Sequence, residues 1–314
     1  MAITRLSVAL LICGGLASAD GGLITGPDGW VHEYGQVAAI SYFGGNEQLA
    51  LVASYRAGAD SFAWIIPLPS LPAVDTVPLG FFAELQDYSQ PYYRSGDWFG
   101  CGGMEPMPDA RFGDSLGVEE IAHGLVGMYE YEVLRVEIAE SLVAYLARSG
   151  YVPRSDPTAV FQHYLDRGWN FFFVARVQDS LSETEGRAVG IRLAFASDSA
   201  VYPLYVSRLG SVYTGVVLYV LAEHRMHFAG AELWFSGRVE PATFYWDAGM
   251  VERPCRLTKL LKYYQPEQMQ DIVLRRAPDD RDFRMVVSAG GNYGSLMPML
   301  ALAGLLLVRR RRAG

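Results

Sequence analysis

Two histidines in the C-terminal half have the spacing of a metal site. His224 and His227 lie three residues apart, and on a helix this spacing would place both imidazoles on one face. The segment around them instead follows a strand pattern and resembles a hairpin turn, where the same spacing points the two rings apart. A metal site of this kind also needs a third ligand, which the neighbouring sequence does not offer. The sequence therefore predicts no bound metal. His224 and His227 are the one pair that could be considered as ligands.

Acidic residues form two further groups that could do chemistry. Glu130 and Glu132 alternate along a predicted strand, so they share one face, where an acid–base pair is conceivable. A solvated face opposite an aromatic core face explains them more simply. Asp279, Asp280 and Asp282 could hold calcium, but the segment lacks the glycine and the distal glutamate of a calcium loop. We therefore expect solvated carboxylates in both places.

No local motif for nucleophilic catalysis or cofactor binding is present in the sequence. No serine lies in a nucleophile elbow, and no glycine-rich loop follows a predicted strand. The remaining histidines, His32, His123 and His163, are isolated. The sequence thus predicts no cofactor and identifies no catalytic residue, although an active site can be assembled from residues that are distant in sequence.

The N-terminus has the features of a secretory signal peptide. A basic Arg5 precedes an apolar run over residues 6–16, and residues 17–19 have the small-x-small pattern that a signal peptidase reads. The apolar run is too short to span a bilayer. We therefore expect cleavage between Ala19 and Asp20 and an extracytoplasmic location for the mature chain.

The C-terminus has the features of a membrane or sorting segment. Gly290 and Gly291 precede an apolar run over residues 296–308, which is followed by four arginines. Such a basic cluster holds the C-terminus in the cytoplasm and leaves the preceding domain outside. The tail is also similar to bacterial C-terminal sorting signals, in which a protease cuts near the glycines. Both alternatives stay open, and both give a signal peptide (1–19), an exported domain (20–288) and a tail (289–314).

Cysteine content and charge fit an exported protein. After signal cleavage Cys101 and Cys255 remain, and in an oxidising compartment they are candidates for one long-loop disulfide. Without Arg5 and the four tail arginines, 21 basic residues remain against 34 acidic ones, a formal charge of −13. This acidic balance argues against a nucleic-acid partner.

The pattern of apolar residues predicts an α+β fold built mainly from antiparallel sheet. A central helical hairpin is expected over residues 138–149 and 156–167. The first segment has helical spacing, the second begins with the N-cap signal Asp156-Pro157, and each ends at a glycine. Two C-terminal helices are expected over residues 257–264 and 267–274. A short echo between residues 59–68 and 197–204 suggests two related half-sheets. The other predicted elements are a helix over 79–87 and strands over 36–42, 47–55, 61–66, 125–136, 170–177, 189–196, 201–207, 212–222 and 231–236.

Several segments resemble the bacterial domain of unknown function 2330 family. The sequence ADSFAWIIPLP at residues 59–69 is similar to the opening block of that family. The other matching positions are Tyr55, Phe81, Leu85, 127–130, 145–146, 150–151, 169–173, 202–204, 216–221 and 257–258. The resemblance implies a signal peptide and a C-terminal membrane or sorting segment, and it implies no reaction and no catalytic residues.

The sequence therefore predicts an exported cell-envelope protein that is anchored in the membrane or sorted to the surface. A non-enzymatic module that binds a protein or glycan partner, through loops such as residues 91–114, is expected because no catalytic motif is present. Aromatic pairs such as Tyr263 and Tyr264 could contribute to such a surface. The alternative is an exported hydrolase whose site is assembled from distant residues.

Overall fold

Strands dominate the part of the chain that the computed structural model describes, which is residues 22–25, 31–33, 35–52, 54–57, 61–94, 119–126, 129–152, 156–178, 186–187, 190–210 and 213–288. The helices are α1 (Leu79–Tyr88), α2 (Ala139–Arg148) and α3 (Thr158–Leu165), with short 3₁₀ helices at Tyr205–Leu209 and Pro266–Gln268. The strands are β1 (Gly22–Thr25), β2 (Val31–Glu33), β3 (Gly35–Phe43), β4 (Asn46–Val52), β5 (Ser54–Ala57), β6 (Ser61–Leu68), β7 (Ala73–Val77), β8 (Tyr92–Arg94), β9 (Glu119–Val126), β10 (Tyr129–Arg135), β11 (Phe171–Gln178), β12 (Gly186–Arg187), β13 (Gly190–Ala196), β14 (Val201–Tyr202), β15 (Thr214–Ala222), β16 (Met226–His227), β17 (Glu232–Val239), β18 (Cys255–Tyr264), β19 (Ile272–Val273), β20 (Arg275–Arg276), β21 (Phe283–Arg284) and β22 (Val286–Ser288).

Two large sheets organise these strands. The five-stranded sheet has the order β1-β6-β11-β10-β9, and all its pairs are antiparallel. The eight-stranded sheet has the order β21-β17-β18-β15-β3-β4-β13-β7. Its strands pair antiparallel except β15 and β3, which are parallel. The prediction of a mainly antiparallel sheet is confirmed. Smaller sheets of two or three strands lie around these two.

The eight-stranded sheet is buried on both faces over its central strands. Alternate residues of β15 belong to different apolar clusters, because successive side chains of a strand point to opposite faces. Leu218 and Val220 lie in a large cluster shared with the five-stranded sheet, whereas Tyr219 and Leu221 lie in a second cluster with Phe81 of α1. Burial on both faces explains why β15 is an almost unbroken apolar run.

The helical hairpin packs on one face of the five-stranded sheet. Phe161 of α3 packs edge-on against Phe172 of β11, with ring centroids 5.8 Å apart. Helix α2 ends at Gly150 and the turn after α3 ends at Gly168, and both glycines have positive φ angles of 87° and 76°. This left-handed conformation is the usual end of a helix and favours glycine. The predicted helical hairpin is confirmed.

Three sequence predictions are wrong. Residues 257–264 lie in the central strand β18, and residues 267–274 form a 3₁₀ turn and the short strand β19, so the two expected C-terminal helices are absent from this described segment. Residues 201–207 form a two-residue strand and then a 3₁₀ helix. The two similar segments, 59–68 and 197–204, have different structures. The first contains a long strand of the five-stranded sheet and the second a short strand before a 3₁₀ helix, so the similarity does not mark related half-sheets.

Candidate binding groove

A groove of about 650 Å³ lies at one end of the eight-stranded sheet, on the face that carries α1. Residues of β3, β4, β7 and β13 line it, together with Leu71 and Pro72 before β7 and Glu252 and Arg253 before β18. Its volume is in the range of small-molecule sites, which is roughly 300–1,000 Å³. The groove is therefore large enough to take a ligand or a side chain of a partner.

Small side chains in two cross-strand rows form the floor of the groove. One row runs from Ser41 across Gln48 and Ala194 to Ala73. The next row pairs Asn46 with Phe43 on one side and with Ala196 on the other. Residues in register on neighbouring strands share a face, so the alanines leave space that larger side chains would fill. The groove results from this missing side-chain volume at the end of the sheet.

A tight hairpin fixes the end of the groove. Gly44 and Gly45 connect β3 to β4 with φ angles of 58° and 80°. Two positive φ angles are typical of a two-residue type I′ turn, which matches the twist of the paired strands. The turn also accepts a backbone hydrogen bond from Ser197, with N···O of 2.9 Å to Gly45. Phe43 and Asn46 are thereby held at defined positions.

The β17–β18 loop (residues 240–254) forms the opposite rim. Gln48 Nε2 donates a hydrogen bond to Glu252 Oε1 at 2.8 Å. Arg192 of β13 donates to Gln48 Oε1 at 3.1 Å and to the carbonyl of Ala248, and it forms an ion pair with Asp75 at 2.6 Å. These contacts tie the loop to the sheet, so the rim is fixed before any partner binds.

Arg253 is the cation of this rim. Its guanidinium carbon lies 5.0 Å from the ring centroid of Phe43, which is within the range of a cation–π contact. Among the described residues Arg253 has no ion-pair partner. Glu252, held by Gln48, places a carboxylate beside it. The groove thus offers a floor of alanines and small polar side chains, an aromatic ring and one charge of each sign. All of these groups can take part in binding a partner.

Glu47 lies behind the groove floor. Its side chain is wholly buried, with Oε2 accepting the Val201 N–H at 2.9 Å and Oε1 lacking a hydrogen-bond partner in the described structure. Burial raises the pKa of this carboxyl well above its ordinary value. Because Glu47 precedes Gln48 on β4, its side chain points to the opposite face, into the cluster between the sheets. It is a core residue that favours the protonated form.

The two histidines of the candidate metal pair do not converge. His224 lies in a turn after β15, where its Nδ1 is 2.8 Å from Asp280 Oδ2, and His227 lies on β16 with an exposed side chain. No group of three or more potential metal ligands occurs among the residues that the structure describes.

The three aspartates near the tail each contact a basic residue of the chain. Asp280 is paired with His224, Asp279 lies 3.0 Å from Arg225, and Asp282 lies 2.7 Å from Arg256. The carboxylates therefore point to separate cations, and they do not converge on a common position.

Glu130 and Glu132 share one face of β10, as predicted, but they are half-buried and not fully solvated. Together with Arg176 of β11 and residues of α2 they line a cavity of about 20 Å³. Burial raises the pKa of both carboxyls. A cavity of this size holds about one water molecule, so the pair has no room for a substrate.

His163 belongs to a buried network that joins three segments. The carboxylate of Asp271, 1% exposed, lies 3.1 Å from His163 Nε2 and also binds Arg167. Tyr164 Oη donates to Asp271 at 2.7 Å, and the backbone N–H of Tyr205 donates to it at 2.9 Å. The network holds α3 against the 3₁₀ helix and the segment before β19, which is a structural role.

Of the remaining candidate residues, the structure describes His123 and Cys255. His123 is exposed on the edge strand β9 beside Glu120. Cys255 is buried, and burial raises the pKa of its thiol to about 11. The other predicted site residues lie outside the described residues, so their roles stay predictions; these are Cys101, Ala19, Asp20, Gly290 and Gly291. The same holds for most of the predicted binding loop 91–114.

Sequence reasoning missed the groove and one buried lysine. Phe43, Arg192 and Arg253 are far apart in the chain, and no local spacing marks them as a group. Lys259 of β18 is 4% exposed, and its Nζ donates to Gln86 Oε1 at 2.6 Å. Burial lowers the pKa of this ammonium from 10.5 to about 7. The sequence did not indicate that Lys259 is buried, because the leucines and tyrosines around it have the spacing of a helix.

Within the described residues, no helix has both the length and the apolar character to cross a membrane. The tail at residues 289–314 lies outside them, so the structure does not test the predicted anchor.

Comparisons with known proteins bear on the family alone. The sequence matches no functionally curated protein. One solved structure, described as "Crystal structure of baculovirus P35", aligns over 80% of this chain and 98% of that chain, with 9% identity and a TM-score of 0.37. Residues 15–268 match the family described as "Uncharacterized protein conserved in bacteria (DUF2330)". This match covers most of the sequence, and the chain therefore belongs to the DUF2330 family.

Proposed function

We propose that the protein is an exported cell-envelope module that binds a protein or glycan partner through the groove beside the β17–β18 loop. The observation that carries this proposal is the groove itself, about 650 Å³ in volume, with the Phe43–Arg253 pair on its rim. The hydrogen bonds of Gln48 and Arg192 fix the rim in place. A fixed rim favours binding, because little conformational entropy is lost when a partner is bound.

The distribution of acid–base groups supports binding over hydrolysis. Imidazole–carboxylate pairs occur at His123, His163 and His224, in three separate parts of the fold. The described residues that line the groove include no histidine and no cysteine. General acid–base catalysis most often uses a histidine, and the groove carboxylate of Glu252 is engaged by Gln48 without an imidazole beside it.

Features of the two ends support the proposed location. The signal-peptide pattern before Asp20 and the arginine cluster after residue 308 both favour a domain outside the cytoplasm. The formal charge of −13 for the mature domain fits a partner other than a nucleic acid.

In-cell photocrosslinking tests this proposal. A photoreactive phenylalanine analogue at position 43 would report on the groove, and the same analogue at the exposed Tyr213, outside the groove, is the matched control. We expect an adduct from position 43 that is lost with Ala196→Trp, which fills the floor, and weakened with Arg253→Ala. Mass spectrometry of the adduct would distinguish a protein from a glycan. Equal adducts from both positions, or an adduct unaffected by Ala196→Trp, would contradict the groove assignment.

Intact mass spectrometry of the mature protein tests the location. We expect loss of residues 1–19, with the tail either retained, as for an anchor, or lost near Gly290, as for a sorting signal. A mature chain that begins at Met1 would contradict export.

A further inference from the structure

The β17–β18 loop presents two neighbouring aromatic side chains to solvent. Tyr245 is 83% exposed and Trp246 is 48% exposed. Their ring centroids are 4.8 Å apart and their planes are inclined by 87°. Neither residue lines the groove, so this pair is a second surface on the same loop.

Three contacts hold this aromatic pair in place. The carboxylate of Glu84 on α1 accepts the backbone N–H groups of Tyr245 and Trp246 at 3.1 and 3.0 Å. Phe244, the residue before them, is buried edge-on against Phe81. The Trp246 ring lies against the backbone of Gly80, where an added Cβ would be 2.6 Å from a ring carbon. The exposed rings are therefore carried on an ordered backbone.

Three other aromatic rings carry an arginine from their own chain. Arginines lie over Phe43, Tyr92 and Tyr205 at 5.0, 5.1 and 4.4 Å from the ring centroids. In the part of the chain that the structure describes, no arginine or lysine lies over Tyr245 or Trp246. Tyr245 and Trp246 thus present ring faces that no described cation of the chain covers.

Two acidic residues adjoin the pair. Glu84 contacts it directly and Asp247 follows it in the chain, with its Oδ1 accepting the Gly249 N–H at 3.2 Å. The mature domain as a whole carries a formal charge of −13. An approaching cation is attracted by these carboxylates and by the electron-rich ring faces, of which tryptophan gives the strongest contact.

We propose that Tyr245 and Trp246 form a docking surface for arginine or lysine side chains of a basic protein segment. Trp, Tyr and Arg are the residue types that contribute most to protein–protein binding energy, which fits a Trp–Tyr pair facing a basic partner. This surface goes beyond the proposed groove and does not depend on it. Binding here and binding in the groove can therefore fail separately.

A titration with a charged peptide and its neutral analogue tests the surface. The purified full chain is titrated with a labelled hexa-arginine peptide and with the hexa-citrulline peptide, which has nearly the same shape but no charge. Anisotropy gives Kd at low and high salt. We expect binding of the arginine peptide, weakening at high salt, and much weaker binding of the citrulline peptide.

Substitutions then assign the binding to the aromatic pair. Trp246→Ala and Tyr245→Ala should each weaken the arginine peptide about two- to fivefold, the range expected for loss of an exposed cation–π contact. Trp246→Phe should recover part of the loss, and Tyr213→Ala, another exposed tyrosine, should have no effect. Circular dichroism verifies that each variant is folded, and Tyr245→Ala alone is sufficient if Trp246→Ala is unfolded.

Two results would overturn the proposal. Equal affinities of the wild type and the two alanine variants would show that the peptide binds to the acidic surface in general. Trp246-dependent binding of a neutral oligosaccharide, with no preference for arginine over citrulline, would replace the basic partner by a glycan.

Discussion

Replacement of Lys259 by methionine is expected to stabilise the protein at neutral pH. The Lys259 ammonium lies beneath α1 with Gln86 Oε1 as its hydrogen-bond acceptor and with the rings of Tyr219 and Trp234 at 5.2 and 5.8 Å. None of these groups is a carboxylate, so the charge is buried without an ion pair in the described structure. Methionine has a similar length and no charge. Gln86 Oε1 would keep the hydrogen bond that it accepts from Tyr219 Oη at 2.7 Å.

The shifted pKa gives the size and the sign of the effect. Burial lowers the pKa of Lys259 from 10.5 to about 7, so between these values the folded state binds fewer protons than the unfolded state. The free energy of unfolding of the wild type therefore increases as the pH rises from 7 to 10.5, and it decreases again as the pH falls towards 7. Between pH 9.5 and pH 7 the loss is about 3 kcal/mol for a shift of this size. The methionine variant has no ammonium and so avoids this decrease in stability. Deleting the hydrogen bond to Gln86 costs it only about 1 kcal/mol.

Urea unfolding at pH 7.0 and 9.5, followed by circular dichroism, measures this difference. The matched control is Lys262→Met on the same strand, where the ammonium donates to the carbonyl of Ala229 and is not buried. We expect Lys259→Met to gain stability over the wild type at pH 7.0 and to lose most of that gain at pH 9.5, and Lys262→Met to do neither. The same pH dependence in the wild type and in Lys259→Met would refute the reasoning, because Lys259 would then titrate as an ordinary lysine.

Three further substitutions test other parts of the structure. Glu47→Gln should be increasingly more stable than the wild type as the pH rises above 4.5, because burial raises the folded pKa of this acid and its ionisation opposes folding; urea unfolding at pH 4.5 and 8 measures this. Gly80→Ala should destabilise the protein by about 1–3 kcal/mol, because the new Cβ overlaps the Trp246 ring; thermal unfolding and Trp246 fluorescence report it. Asp271→Asn should cost about 2 kcal/mol, because Arg167 and His163 lose a charged hydrogen-bond partner; urea unfolding at pH 7 measures the loss.

Each of these predictions has a control and a result that contradicts it. Glu223→Gln, at an exposed glutamate, should not reproduce the pH-dependent gain of Glu47→Gln. Gly45→Ala is strained for a different reason, its φ of 80°, and should leave Trp246 fluorescence unchanged. An Asp271→Asn protein as stable as the wild type would mean that the network around α3 contributes little.

The error at β18 shows why a helical pattern can belong to a strand. Leu257, Leu260, Leu261 and Tyr264 have the i, i+3, i+4, i+7 spacing of an amphipathic helix. In the structure β18 lies between β15 and β17 with both faces buried, and the polar Arg256, Thr258 and Lys259 are buried along with the leucines. The spacing of the apolar residues therefore does not mark a single buried side. The strands and helices with one exposed face, and those bounded by glycine, were predictable because their pattern reports a single buried side.

The groove was not predictable because it depends on small side chains at two separate places in the chain. Ala73, Ala194 and Ala196 give no signal in the sequence, since alanine is common in strands and helices alike. Only the register of β4, β13 and β7 brings them together. The Gly44-Gly45 turn was visible, but the partner of Phe43 across the groove is Arg253, more than two hundred residues later.

One loop links the two proposed contact surfaces. Residues 240–254 carry Tyr245 and Trp246 at one end and Arg253 at the other, and the buried Phe244, Met250 and Val251 anchor the segment between the sheet and α1. Exposed aromatic rings gain nothing from burial in the free protein, so other residues of the loop must hold its backbone in place. Here buried residues alternate with exposed ones along a single segment. The same packing that orders the loop therefore keeps Tyr245 and Trp246 in solvent and Arg253 over the groove, where each is available to a partner.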